Sequence, residues 1–235
     1  MSLRRLALVQ GIDDTRDALA RWNEDPVRTV GRWALGALVV AGLLLYAVWV
    51  VSHIAIPDDS RPLLLPGLNE PAGLADVARV LLRNSLVLLL HAMACLAGFI
   101  AGSSLPQQAE EHRGLWRRVH ETAGRAAIVF VAGATLFSLV TQAYVLGSDA
   151  STLSRQLGIG QFTLILTLLP HALPELVALF LPLAAWLVAS RRGRWDELLA
   201  ATLATSALAV PVLVLAANLE VFVWPHLLRA ASPLG

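Results

Sequence analysis

LGIGQFTLILTLLPHALPELVALFLPLAAWLVAS, residues Leu157 to Ser190, is the stretch on which the fold turns. A helix rises about 1.5 Å per residue, so one straight helix of this length would measure about 50 Å. The hydrocarbon core of a bilayer is only about 30 Å thick. The run is too long for one plain crossing and too short for two. Pro170 and Pro174 each remove a backbone donor and disfavour helix in the preceding residue. The sequence therefore predicts a short entering segment, Leu157 to Leu169, a break at 170–175, and a full crossing from Ala172 to Ser190. Unpaired backbone groups at such a break must face protein or a water-filled cavity, because lipid cannot satisfy them. His171 and Glu175 lie at the break, one helical turn apart.

Composition points the same way. Hydrophobic residues make up 57% of the 235, and several apolar runs exceed the length of about 18 residues that marks a transmembrane helix. A net charge of +1 gives no reason to expect nucleic acid as a partner. The single cysteine, Cys95, lies inside an apolar run and excludes a disulfide framework. The first apolar run follows a long charged segment and no small-residue cleavage site follows it, so it reads as a retained helix.

Residues 1–32 interleave arginines with Asp13, Asp14, Asp17, Glu24 and Asp25. Apolar residues recur at helical spacing from Leu6 to Trp22, and Asp13 or Asp14 is a possible cap; the segment reads either as an amphipathic surface helix or as a solvated tail. Membrane spans are expected at about 33–56, 78–102, 123–146, 157–190 (broken at 170–175) and 198–224. An acidic, proline-rich loop separates the first two, a charged loop lies at 103–122, and a polar link at 147–156. Ala94, Gly98 and Gly102 offer a small-residue face for close packing or for a homo-oligomer. Thirteen of the 18 arginines fall in residues 1–32, 103–125 and 191–194. The excess of arginine in cytoplasmic loops then places the N-terminus inside and the C-terminus outside. The expected fold is an all-α polytopic helical bundle with five crossings and one broken or re-entrant half-helix.

Polar side chains inside spans are costly and usually face the bundle interior. Asn84, His91, Gln142, His171, Glu175, Asn218 and Glu220 are the candidates. On the expected topology all lie in the outer half of the bilayer, His91 slightly deeper, which predicts one polar cluster. The plain alternatives are interhelical hydrogen bonding for Asn84 and Gln142, contact with headgroup water for His91, Asn218 and Glu220, and a pinning contact for the His171–Glu175 pair. A metal site would need His171, Glu175, Glu220 and His91 to converge without a supporting spacing motif. No nucleophile motif frames Ser85, Ser138 or Ser206 for a hydrolase. No cofactor is expected. A proton-coupled transporter fits a broken helix beside buried carboxylates, but no inverted repeat is visible.

Three blocks together resemble the stage II sporulation protein M family of bacterial membrane proteins. Pro170, His171 and Glu175 match its Pro-His-Gly-x-x-Glu signature, with Ala172 in place of glycine. Gln142 to Gly147 is similar to its Asn-Gly-x-x-x-Gly stretch, and Asn218 to Pro225 is similar to its acidic-aromatic-proline helix end. Asn84 resembles an early intramembrane asparagine of the family. The resemblance covers the chain from the second span onward. It implies a non-enzymatic protein of the bacterial cytoplasmic membrane that scaffolds or assembles cell-envelope partners, peptidoglycan-remodelling enzymes among them. The alternative is a transporter or channel using the His/Glu cluster for a proton, a cation or a polar substrate.

Overall fold

The computed structural model describes residues 7–60, 64–104 and 115–233. Their regular structure is helical throughout, apart from an isolated bridge between Pro66 and Glu70. We number the α-helices α1 (Ala7–Glu24), α2 (Pro26–Ile54), α3 (Leu74–Phe99), α4 (Leu115–Leu157), α5 (Gln161–Arg192), α6 (Leu198–Asn218) and α7 (Trp224–Ala231). A π-helical turn, Ile100–Ser104, extends α3, and a second one, Leu219–Val223, joins α6 to α7. Five helices are long and apolar enough to cross a membrane. The protein is an all-helical, multi-pass membrane protein.

Local chemistry sets the helix boundaries. Asp25 caps α2 by accepting the Arg28 amide at 3.0 Å, and Pro26 occupies the first helical position, where its missing N–H costs nothing. Asp76 reaches back to the Gly73 amide at the start of α3, at 3.0 Å. Helices α4 and α5 end alike. Gly158 (φ 64°) and Gly193 (φ 66°) adopt the left-handed conformation, and each has the paired backbone bonds of a glycine C-cap, Gly158 to Arg155 with Ile159 to Ser154, and Gly193 to Ser190 with Arg194 to Ala189.

Two sequence expectations are corrected. Helix α5 runs unbroken from Gln161 to Arg192, through both Pro170 and Pro174. Each proline forfeits one hydrogen bond, to the carbonyls of Leu166 and Pro170. Opening a whole turn in an apolar setting would expose several backbone groups, each at a cost of several kcal/mol. Staying helical is the cheaper outcome, and no half-helix forms. Likewise the expected polar link at 147–156 is the last part of α4. Ser148 donates to the Tyr144 carbonyl at 2.8 Å and Thr152 to the Ser148 carbonyl at 3.2 Å, so these hydroxyls are satisfied inside a helix. Chain reversal waits for Gly158. At the other end α4 already begins at Leu115, within the expected loop; half of that loop, 105–114 with Arg113, lies outside the described residues.

The chain forms two compact units, and each spanning helix gives a segment to both. One comprises Met1–Ala37, Leu88–Leu136 and Phe180–Leu208; the other comprises Leu38–Val87, Phe137–Leu179 and Ala209–Gly235. In the first unit α1 packs on protein: Gly11 lies against Leu199 and Phe99, Ala18 is fully buried, and Arg21 pairs with Glu197 at 3.1 Å. The small-residue face of α3 is used here as well. A Cβ on Gly98 would meet Trp186 at 2.6 Å, and one on Gly102 would meet Trp195 at 2.3 Å, so this face is filled from within the chain. Cys95 is fully buried and donates to the Pro182 carbonyl at 3.0 Å.

The second unit ties its loops to helix ends. Ser151 donates to the Ala55 carbonyl, the Asp58 amide donates to Thr152, and Arg155 pairs with Asp59 at 3.2 Å. Gly67 (φ 81°) lies against Pro225 and the Val221 carbonyl, the acceptor that Pro225 leaves without its helical donor. Arg229 on α7 clamps the same loop, donating to the carbonyls of Gly67 at 2.6 Å and Leu68 at 2.8 Å.

Candidate functional site

The second unit contains a cavity of about 330 Å³. His171 and Glu175 of α5 line it from one side, Arg83 of α3 and Glu220 of the π-helical turn from another, with Asp149 of α4 and Trp224 of α7. Spacing four apart brings Thr167, His171 and Glu175 onto one stripe of α5. Trp224 holds that stripe: its indole N–H donates to Thr167 at 3.2 Å, and its ring lies 5.3 Å from the His171 imidazole. The continuous helix therefore does what the expected break was to do, and presents His171 and Glu175 together to an internal space.

Charge in the cavity is partly compensated. Arg83 meets Glu220 at 3.5 Å and lies within electrostatic range of His171 and Glu175. Glu175 and Glu220 are electrostatically coupled, and Asn84 lies beside Glu175. Asn84 and His171 are almost wholly buried. Two polar atoms here, His171 Nδ1 and Glu175 Oε2, are buried without a hydrogen-bond partner, and the buried Asn84 amide nitrogen faces Glu175 without closing to ideal hydrogen-bond geometry. Such atoms normally find partners, and each one left alone costs about 1–3 kcal/mol. With three carboxylates against one guanidinium, the cavity offers more acceptors than cations.

The sequence-predicted cluster is therefore only partly assembled. Asn84, His171, Glu175 and Glu220 come together. Gln142 instead bonds Ser138 on its own helix at 3.0 Å, and Asn218 bonds the Val214 carbonyl on its own helix at 2.7 Å. His91 belongs to the first unit, where it is buried edge-on against Phe180 at a ring separation of 5.3 Å. Among the described residues no three His, Cys, Asp or Glu side chains are placed to share a metal ion. Sequence reading missed Arg83, Asp149 and Trp224, which looked like interfacial or loop residues. The signal for Arg83 was its place beside Asn84 at the start of an otherwise apolar span.

Comparison with protein-family models, with curated proteins and with solved structures gave no match.

Proposed function

We propose that this protein is a non-enzymatic scaffold or assembly factor of the bacterial cytoplasmic membrane, with its N-terminus inside, and that it holds partners involved in cell-envelope or peptidoglycan remodelling. Its resemblance to the stage II sporulation protein M family names that class of partner. The observation that carries the reading is α4. Only 6% of the most apolar window of Ile128–Leu157 is buried within the chain, against 67% for α5. Lipid can cover apolar side chains, but Gln142 sits half-exposed in this span, with its amide bonded only to Ser138. Such an amide in lipid is costly, and helices use it to bind one another. A partner helix would take up its remaining bonding capacity. The test is copurification of tagged wild type beside Gln142→Leu from native membranes in mild detergent. Retention of a peptidoglycan-remodelling enzyme by wild type, with its loss from a folded Gln142→Leu, is the expected result. Absence of such an enzyme from both would defeat the proposal.

The cavity favours a second reading, a transporter or channel. Its acceptors suit a cation or a donor-rich solute, and Glu175 is its central ligand. Solute-dependent flux in liposomes that is abolished by Glu175→Gln would establish this reading in place of the scaffold.

A further inference from the structure

The first unit contains a separate cavity, of about 190 Å³, where the start of α2 and the end of α5 come together with α1. That is room for several groups of water size, each about 30 Å³. Arg21, Arg32, Arg192 and Arg194 line it, with Glu197 as its only acidic side chain. Glu197 is already engaged, pairing with Arg21 at 3.1 Å and with Arg194 at 2.5 Å. No carboxylate among the described residues lies within ion-pair distance of Arg32 or Arg192, and these two lie within electrostatic range of each other. The floor is apolar: Trp33, Ala185 and Ala189 are buried, and Trp22 stands edge-on to Trp33 at 4.9 Å. Trp33 begins the apolar run of α2 and Ala189 ends that of α5, so the cavity sits where two spans meet the membrane surface.

We propose that this cavity binds the phosphate of an anionic phospholipid, with Arg32 and Arg192 as its cationic ligands. The Arg32 and Arg192 guanidiniums repel each other, with Asp25 offsetting part of the charge on Arg32 without pairing with it, and a phosphate oxygen pair relieves that repulsion while accepting their N–H groups. The alternative role for arginines at the end of α5 is to offset the helix dipole. That role does not account for Arg32, which faces the same space from another helix, nor for an apolar floor beneath four arginines. Basic pockets between spans at the membrane surface are suited to anionic headgroups.

The test uses the full chain, purified in mild detergent and delipidated, with its melting followed as phosphatidylglycerol, phosphatidylcholine or sodium phosphate is titrated in. Phosphatidylglycerol is expected to raise the midpoint to a plateau that the other two do not reach. Arg32→Gln and Arg192→Gln should each raise the half-saturating phosphatidylglycerol concentration about fivefold. Arg191→Gln, which makes the same charge change just outside the cavity, should not alter it. The midpoint without lipid shows whether each variant is folded. An equal response to phosphatidylcholine would overturn the proposal, as would folded Arg32→Gln and Arg192→Gln variants that bind like wild type. Saturation by sodium phosphate alone would also overturn it, and make the cavity a site for a free anion.

Discussion

Gly147 supports the sharpest prediction, because two backbones meet there. A Cβ built on Gly147 would lie 2.5 Å from Val51 Cβ and 3.0 Å from the Val48 carbonyl oxygen on α2. Carbon atoms rest at about 3.5–4.0 Å, so Gly147→Ala must part the two segments by about 1 Å. Neither neighbour can rotate aside, since one is a Cβ and the other a main-chain oxygen. Overpacking of this kind costs about 1–3 kcal/mol, and its upper end applies where nothing flexible can yield. Replacing a helical glycine returns about 1 kcal/mol. The net expectation is a loss of about 2 kcal/mol, or about 4–8 °C in melting temperature at 2–4 °C per kcal/mol. Gly133→Ala on the same helix is the paired control: nothing lies within 4 Å of its Cβ, and it should gain about 0.5–1 kcal/mol. Cys95 makes the assay direct, since the one cysteine is fully buried and a thiol-reactive fluorophore reports its exposure on heating. If Gly147→Ala melts at or above Gly133→Ala, the close approach of α2 and α4 is wrong.

Three further outcomes are expected. Arg229→Ala should free the 64–70 loop, because both clamping hydrogen bonds go with the guanidinium, and limited proteolysis should then cut there faster than in wild type. Asp14 has its carboxyl held above the ordinary range, first by burial and then by Asp196, Asp17 and Asp13, against the opposing pull of Arg21. A raised carboxyl makes the ionised form the unfavourable one in the fold. Asp14→Asn should therefore stabilise the protein at neutral pH, and the gain should fade as the pH falls through the raised folded-state value towards the usual aspartate value near 3.8; paired melts at pH 7 and pH 4 would show it. Arg83→Gln removes the cation shared by Glu175 and Glu220 and should lower the melting temperature, whereas adding Glu220→Gln should recover part of the loss; a double variant no better than the single one would count against that charge network.

The five apolar spans were legible in the sequence because burial in lipid demands long runs, and runs survive any error in their ends. The break was misread for a definite reason. Proline rules learned in water assume that an opened turn can be hydrated, whereas an apolar interior penalises opening more than it penalises one missing bond at Pro170 or Pro174. Reading 147–156 as a link made the opposite error, taking Ser148 and Thr152 as loop residues when their hydroxyls bond carbonyls one turn back. Depth along a span was a usable guide to the cluster, since it selected His171, Glu175, Glu220 and Asn84. Depth alone does not fix the direction in which a side chain points. That direction separates Gln142 and Asn218, each bonded to its own helix, from the residues that line the cavity.

The π-helical turn at Leu219–Val223 acts as a one-residue phase shift in the chain. A wide turn holds one residue more than an α-turn, and successive residues in an α-helix are about 100° apart, so every side chain beyond it is turned by about that angle. Trp224, which reaches Thr167, and Arg229, which reaches Gly67 and Leu68, both lie beyond the shift. Deleting one residue from that turn would restore a regular helix, keep its composition almost unchanged, and swing both anchors away from their partners together. Tolerance of substitutions in this stretch would thus differ sharply from tolerance of a change in its length.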